Sequence, residues 1–439
     1  MSLHALELND HAILLGEGDA LRAASPGFAL ARDKSLVFGE SARAQSRLHP
    51  NESHSRFWQD LSLEPLAAGR LPDPKVRHLA DLAYSQLLAI ADEAQLAPDE
   101  KHDVIVNVPG SFSRQQLGIL LGIAKQTPFN IVGLVDSALA AAAAFYAERP
   151  TATLSPLIVV QQQLHQTLLS LVIPEASRLR VESVVALPST GSQNVIDSLM
   201  QLSTDLFIDQ CRFNPQHDAP TEQLLYNALP SWLDAEAQGG SLMLELAADG
   251  AVYSAKLPYE SLVSALAPTR QRVLEQVVAL VNRAPDARLL VCSNLNALPG
   301  LQSTLASVAE YEAVAAQSGV AASLAHRTQL VADGAIGLNR QLDIGAVRKQ
   351  SPARSVNRQV ADGQVAERQA SQPTLAFAQL EASAAALGSR SRVNGRRVDS
   401  LPAAEREQLT LREGDELSVE LDDGSRAVFS LTGLRHGED

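Results

Sequence analysis

Short apolar runs alternate with helical patterns along the N-terminal part of the chain. The run 104–108 precedes a helical pattern over 114–127, and the run 129–136 leads directly into an alanine-rich helical pattern over 137–148. Strands that alternate with helices in this way are typical of an α/β fold. We therefore predict an α/β core for this part of the chain.

The same patterns predict further elements before residue 346. Short strands with turns between them are expected over 4–16, 25–30, 35–38, 179–189 and 287–294, and a hairpin over 242–257 with Asp249-Gly250 at its turn. Helices are expected over 75–97, 194–211, 258–282, 298–309 and 330–342. Ser111 or Ser113 is expected to cap the helix that follows 104–108, and Ser137 the helix that follows 129–136.

One predicted hairpin has an unusual turn. The apolar runs 157–160 and 168–173 are joined by Gln-Gln-Gln-Leu-His-Gln-Thr over 161–167. Tight hairpin turns favour Gly, Asn or Asp, because a turn residue often takes a positive φ angle. None of these residues occurs in the segment 161–167, so the preferences of a tight turn do not explain its sequence.

The last part of the chain has a different character. Residues 346–372 are polar, locally basic and without apolar periodicity, which predicts a flexible linker. Residues 373–439 regain strand-like runs separated by the turn pairs Asn394-Gly395, Gly414-Asp415 and Asp423-Gly424. We predict a small all-β module there.

Composition and charge narrow the classes of function. The chain has 439 residues, enough for two or three domains, and a net charge of −14, which disfavours binding to nucleic acid or to an anionic membrane. Only two cysteines occur, in no metal-ligand spacing, as expected of a reducing cytoplasm. The N-terminus lacks the pattern of a signal peptide, and no apolar run is long enough to span a membrane. These features predict a cytoplasmic protein.

The stretch 104–146 resembles the 70-kDa heat-shock chaperone (DnaK-like) family. In that family a strand ending in Val-Pro is followed by a helix with Arg-Gln, an inner strand and an alanine-rich helix. Val108-Pro109, Arg114-Gln115, Val135-Asp136 and the alanine run match that order. Weaker likenesses extend the resemblance over about residues 1–345. It implies a nucleotide-binding domain of the actin-like ATPase fold (ribonuclease H-like, duplicated), with one lobe over 1–155 and a second over 156–345.

The resemblance also gives the odd hairpin a meaning. At this place the family carries a phosphate loop, Asp-Leu-Gly-Gly-Gly-Thr, whose glycines let backbone amides approach the phosphates. Here Gln161 stands at the Asp position, Gln163, Leu164 and His165 stand at the glycines, and Gln166 stands at the Thr. A loop with these side chains is not expected to wrap a triphosphate as the family does.

Three other positions depart from the family pattern in the same direction. The first phosphate loop, Asp-Leu-Gly-Thr-Thr in the family, is replaced by residues 7–11, Glu-Leu-Asn-Asp-His. The catalytic lysine has no counterpart in 54–62, and the adenosine-side double glycine is Cys292-Ser293. The remnant of the nucleotide cleft is expected to comprise Glu7, Gln161, Gly191, Ser192 and Ser293. No catalytic residue and no metal ligand are assigned.

Several single residues have two interpretations. Glu7 is either a metal-directing carboxylate or a solvated acid at the edge of a strand, and His165 is either a ligand or base or a solvated turn histidine; the solvated interpretation is favoured for both. Asp136 is expected to cap a helix, the role of Asp197 is left open, and Cys292 is expected to be a packed thiol.

The C-terminal segment also resembles, more weakly, the second half of a forkhead-associated domain. Asn394, Gly414 and Asp415 match that family, but its phosphate-binding first half is not recognisable, and a generic β module is favoured. An asparagine and four clustered arginines are the candidate partner-binding residues: Arg390, Arg392, Asn394, Arg396 and Arg397. They are suited to an acidic or phosphorylated partner.

Together these observations predict a degenerate DnaK-like protein that lacks ATP hydrolysis and acts as a scaffold or regulatory partner. Its expected partners are other proteins, including a catalytically competent DnaK-like paralogue, and no cofactor is expected. The alternative is an active ATP-dependent chaperone or actin-like ATPase that binds ATP or ADP with Mg²⁺ through unorthodox loops. A small-molecule kinase of the same superfold is a third class, for which no base can be named.

Overall fold

The computed structural model describes most of the chain. It covers residues 3–18, 20–32, 35–66, 76–233, 240–292 and 298–345 and the strand residues 391–393, 396–397, 416–420 and 426–430. The described residues form a mixed α/β structure with several sheets and eleven helices. The chain divides into two compact units, Met1–Gln350 and Ser351–Asp439.

The strands of the first unit lie in four sheets. In chain order they are β1 (His4–Glu7), β2 (Ile13–Glu17), β3 (Ala20–Ser25), β4 (Ala29–Arg32), β5 (Ser35–Phe38), β6 (Ser53–His54), β7 (His102–Val108), β8 (Phe129–Asp136), β9 (Leu157–Gln162), β10 (Gln166–Glu175), β11 (Arg178–Pro188), β12 (Ser241–Ala248), β13 (Ala251–Pro258), β14 (Arg288–Cys292), β15 (Tyr311–Val314), β16 (Leu338–Asn339) and β17 (Gln341–Asp343).

The helices among the described residues belong to the first unit. They are α1 (Glu40–Arg43), α2 (Leu79–Glu93), α3 (Arg114–Ala124), α4 (Ser137–Ala147), α5 (Ser192–Cys211), α6 (Ala219–Leu233), α7 (Tyr259–Ala265), α8 (Ala267–Arg283), α9 (Leu301–Ala306), α10 (Ser318–Ala325) and α11 (Arg327–Leu330). Among the residues described, no helix combines the length and the apolar character that crossing a membrane requires.

Two six-stranded sheets share the order of five strands and differ in the place of the sixth, which is β16 beside β8 in the first sheet and β17 beside β11 in the second. The first runs β16-β8-β7-β1-β2-β3 and the second β15-β14-β9-β10-β11-β17. In each sheet three consecutive antiparallel strands come first along the chain, and two later strands add in parallel beside the first of the three. The loop β1–β2 and the loop β9–β10 therefore occupy equivalent positions in the two sheets.

Helix α4 lies in the interior of the first unit. Its residues 137–146 are all buried, and the alanines pack with strand residues of both six-stranded sheets. Helix α10 packs beside it and also contacts β1 and β7. Because alanine has only one side-chain carbon, neighbouring backbones approach closely along this run. The stretch is therefore a core helix without an amphipathic pattern.

Many sequence-based predictions of individual elements are confirmed. The strand over 129–136 matches β8, and Ser113 caps α3 by accepting a hydrogen bond from the amide of Gln116. The hairpin over 242–257 is β12–β13, with positive φ angles at Asp249 and Gly250 as a type I′ turn requires. The expectation that Asp136 caps a helix is confirmed, since its carboxylate accepts from the amide of Ala138 as the N-cap of α4, whereas the same role expected of Ser137 is not.

Two helix predictions were wrong. The pattern over 258–282 contains two helices separated at Leu266, because Pro268 has no amide hydrogen for an intrahelical bond and begins a new helix. The segment 330–342 is not a helix: Leu338–Asn339 pair with β8, and Gln341–Asp343 pair with β11. This pairing joins residues far apart in the chain, which local periodicity does not reveal.

In the second unit the structure describes four strands. These are β18 (Ser391–Val393), β19 (Arg396–Arg397), β20 (Glu416–Glu420) and β21 (Arg426–Ser430), in one sheet of order β19-β18-β20-β21. The register pairs Arg392 with Arg397. The predicted linker 346–372 lies outside the described residues, and the division of the first unit at residue 155 stays a prediction.

Candidate functional site

The loop 8–12, which joins β1 to β2, meets the tip of the β9–β10 hairpin. We call residues 163–166 the hairpin tip. The amide of Leu164 donates to Asp10 Oδ1 at 2.8 Å, and Asn9 Nδ2 donates to the carbonyl of Gln162 at 3.1 Å. We call this set of contacts the latch. It ties the two six-stranded sheets together at their equivalent loops.

The hairpin tip folds without glycine because none of its residues takes a positive φ angle. Gln162 pairs with Thr167, so four residues form the loop, and loops of this length are commonly built on turns with ordinary φ values. The amide of Gln163 donates to the carbonyl of Gln166 at 2.8 Å, and Gln166 Nε2 donates to Gln163 Oε1 at 2.6 Å. The glutamines thus close the turn with their own side chains.

Leu164 packs the hairpin tip against apolar residues of the segment 28–42. Its side chain is 3% exposed and packs with Phe28, Leu30 and Ala42 in a small apolar cluster. Burying a leucine side chain contributes about 2 kcal/mol. The latch is therefore held by apolar burial as well as by hydrogen bonds.

Gly191 allows the start of α5 to approach the hairpin tip. A Cβ at this position would overlap the backbone of Leu164 and His165. The amide of Ser192 donates to the carbonyl of Gln163, and the amide of Gln193 donates to the carbonyl of Leu164, at 2.9 and 2.8 Å. The first turn of α5 thus donates its free amides to the hairpin tip, where helix N-termini elsewhere hold anions.

His165 is buried, and the prediction of a solvated turn histidine was wrong. The residue is 8% exposed, and its Nε2 lies 2.9 Å from Ser55 Oγ. Burial, together with the charge of Arg56, lowers the pKa of His165 to about 4, so the ring is neutral at pH 7. The covering residues come from 110 positions earlier in the chain, which the local pattern does not indicate.

Glu7 is also buried, and the prediction of a solvated acid was wrong. It is 5% exposed on β1, a strand paired on both sides, and its Oε2 accepts from Asn107 Nδ2 at 2.8 Å. Asn107 in turn accepts from Ser323 Oγ at 2.6 Å. Burial raises the pKa of Glu7 to about 8 despite the hydrogen bond from Asn107, and the nearby Asp136 adds to the rise. Glu7 is therefore mainly protonated at pH 7.

A small cavity of about 40 Å³ lies beside Glu7 and Gln161. Its walls also include Asn9, Ser137 and Cys292, and among the described residues no lysine or arginine lines it. Gln161 Oε1 accepts from Ser137 Oγ at 3.0 Å. Cys292 is buried, which confirms the predicted packed thiol, and burial raises the pKa of this thiol to about 12. This volume admits a few water molecules and no phosphate chain.

A larger cavity of about 650 Å³ adjoins the small one, and His11, Ala12 and Ala316 lie in the walls of both. His11 and Ser192 lie at its wall, with His11 Nδ1 2.9 Å from Ser192 Oγ. Burial, with the charge of Arg43, lowers the pKa of His11 to about 4. Ser192 therefore faces a neutral imidazole.

Two arginines, Arg43 at the end of helix α1 and Arg47 just after it, contact helix α6 near this cavity. Arg47 pairs with Asp197 at 2.5 Å and lies over the ring of Tyr226, 5.0 Å from its centroid. Arg43 lies over the same ring at 5.4 Å and pairs with Glu40. Asp197, whose role the sequence left open, is thus an ion-pair partner inside α5.

The structure brings four predicted cleft residues together around the latch: Glu7, Gln161, Gly191 and Ser192. Ser293 lies outside the described residues, as do Arg390 and Asn394 of the C-terminal set. Arg392, Arg396 and Arg397 are on strands β18 and β19. Within the described residues, no group of three His, Cys, Asp or Glu side chains is placed to hold a metal ion.

Sequence reasoning missed other residues of the site, chiefly Asn107, Arg43 and Tyr226. Asn107 left one signal, since it is a polar residue inside the apolar run 104–108.

In comparisons with known proteins, no family model and no curated protein matches the chain.

Proposed function

We propose that residues 3–345 form a degenerate actin-like ATPase domain of the DnaK-like kind, which hydrolyses no ATP. The repeated order of three antiparallel and two parallel strands supports this fold, because it is the order expected of a duplicated ribonuclease H-like unit. The loops β1–β2 and β9–β10 correspond to the two phosphate loops. Their mutual approach across the two sheets supports the same interpretation.

The latch is the main observation that supports the proposed loss of ATP hydrolysis. In an active domain the two loops bind the phosphates from opposite sides with free backbone amides. Here the amides of Gln163 and Leu164 donate to the chain's own oxygens, those of Gln166 and Asp10. The Asp10 carboxylate thus takes the place of a phosphate oxygen, and Leu164 fills the space behind it.

Buried carboxyl groups near the latch also disfavour a triphosphate, because they offer its phosphates no positive charge. Burial raises the pKa of Asp10 to about 7, which a nearby phosphate would raise further. Glu7 and Asp136 are also buried acids, and the lining of the cavity beside Glu7, as far as the structure describes it, contains no lysine or arginine. Phosphoryl transfer depends on such cations and on a coordinated metal.

A chain of this kind acts through contacts with other proteins, as a scaffold or regulatory subunit. A DnaK-like paralogue that retains ATP hydrolysis is the class of partner we propose for the first unit. The clustered arginines of the second unit are proposed to bind an acidic or phosphorylated segment. The net charge of −14 favours such a localised basic site over general attraction to polyanions.

ATP turnover by the purified full chain in the presence of Mg²⁺ tests the loss of hydrolysis. We expect phosphate release no faster than in a protein-free blank. Glu7→Gln is the control, because it removes the acid closest to the metal-directing position of the family and distinguishes intrinsic from contaminating activity. Turnover that Glu7→Gln abolishes would refute the proposal.

A further inference from the structure

The 650 Å³ cavity has the dimensions of a small-molecule site. Cavities that bind drug-sized ligands have volumes of about 300–1,000 Å³ and are lined mainly by apolar and aromatic side chains. This cavity is bounded by the latch through Leu164, by α5 through Val195 and Ile196, and by α6 through Tyr226 and Leu233. Three other cavities among the described residues are smaller, with volumes of about 40, 10 and 260 Å³.

The charges in the described lining cancel. Arg43 and Glu40 are its charged side chains, and they bind each other through two hydrogen bonds of 2.7 and 2.6 Å. His11 is neutral at pH 7 because burial lowers its pKa. An ionic ligand would therefore enter a cavity without a free counter-charge, at a desolvation cost that nothing in the described lining offsets.

The walls combine flat apolar surfaces with a few fixed polar groups. Phe28 and Tyr226 contribute aromatic rings, and the Tyr226 hydroxyl is held by Gln193 Nε2 at 2.8 Å. The Ser192 hydroxyl is held by His11 at 2.9 Å. Rings that are fixed before a ligand arrives favour a flat molecule, because little side-chain freedom is lost on binding.

We propose that this cavity binds an uncharged, flat, mainly apolar small molecule that carries one or two hydrogen-bonding groups. The apolar body lies between Phe28, Ile196 and Leu233, and a polar group lies at Ser192. The cavity adjoins the small cavity beside Glu7, but the proposed ligand class is argued from the lining of the larger cavity and not from the loss of hydrolysis.

The uncharged naphthalene dye prodan is a suitable probe, because its emission changes when it leaves water for an apolar site. Titration of the full chain should give a saturable change with one dye bound per chain, and Mg-ATP should not displace it. Ile196→Trp places an indole in the cavity and should weaken dye binding by about tenfold or more. Ile208→Trp is the matched control, since it makes the same change on the same helix at a half-buried position outside the lining and should leave affinity unchanged.

Circular dichroism is used to check whether both variants fold. If Ile196→Trp does not fold, Ala316→Trp, at another half-buried lining position, takes its place with the same expected loss. The proposal is overturned if the wild-type chain gives no saturable binding, if the cavity-filling variant binds the dye as well as the control does, or if Mg-ATP competes with the dye. Only the last of these results would also speak against the proposed function.

Discussion

Replacing Glu7 by glutamine should stabilise the protein, and the gain should grow with pH. The carboxyl group is buried at the centre of the first sheet, and burial raises its pKa from 4.5 to about 8. Glutamine has nearly the same shape, carries no charge, and can still accept the hydrogen bond from Asn107 Nδ2 through its Oε1. The substitution therefore removes the titration and keeps the contact.

The sign and the size follow from proton linkage. Between pH 4.5 and 8 the folded state holds a proton at Glu7 that the unfolded state has released, so the wild type loses stability as pH rises. One pKa unit corresponds to about 1.4 kcal/mol of unfolding free energy. The excess unfolding free energy of the variant over the wild type should therefore be larger at pH 7 than at pH 4.5 by about 3 kcal/mol. Above pH 8 this excess should level off at about 5 kcal/mol more than its value at acidic pH, where Glu7 is protonated in both the folded and the unfolded state.

Urea denaturation of the wild type and the variant at pH 5, 7 and 9 measures this difference. The other buried acids, Asp10 and Asp136, are present in both proteins, so their titration cancels in the comparison. Glu64→Gln, at an exposed position, is the matched control and should give a difference near zero at every pH. A Glu7→Gln effect that does not change with pH would refute the assignment of a raised pKa to Glu7.

Three further predictions concern the latch and the second unit. Asp10→Ala leaves the Leu164 amide without its acceptor and should cost about 1–3 kcal/mol in unfolding free energy, whereas the exposed Asp99→Ala should have little effect in the same denaturation experiment. Replacement of residues 161–167 by Asp-Leu-Gly-Gly-Gly-Thr-Phe should give no ATP turnover in a phosphate-release assay, since the other departures from the family pattern remain; clear hydrolysis would show that this loop alone was responsible. Serine in place of the four C-terminal arginines should weaken binding of a poly-glutamate peptide in fluorescence anisotropy at low salt, and unchanged affinity would argue against a basic docking site.

The sequence predicted those elements whose signals are local. The run 129–136 and the turn pair Asp249-Gly250 predicted their strands because apolar runs and turn chemistry act over a few residues. Helix α6 carries Pro220 and Pro230, which obscure its helical pattern, and no element was predicted there. Strands β16 and β17 depend on partners about 150 or more residues away, so nothing local marks them.

For the candidate site, the sequence indicated which residues lie near each other but not how deeply each one is buried. Family resemblance indicated that Glu7, Gln161, Gly191 and Ser192 belong to one cleft, and the four residues do lie around the latch. Their environments could not be predicted, because burial depends on which distant residues cover a side chain. His165 illustrates this, since Ser55 covers a histidine that its own neighbours in the chain would leave solvated.

Calorimetric titration of the full chain with Mg-ATP tests the central claim most directly, because the latch predicts that the loops β1–β2 and β9–β10 hold each other and not a nucleotide. We expect no saturable heat at ATP concentrations up to about 1 mM, the range that corresponds to a binding free energy of about −4 kcal/mol. Asp10→Ala, with the latch hydrogen bond removed, should behave in the same way. Saturable binding of one ATP per chain with a dissociation constant below about 0.1 mM would contradict the account.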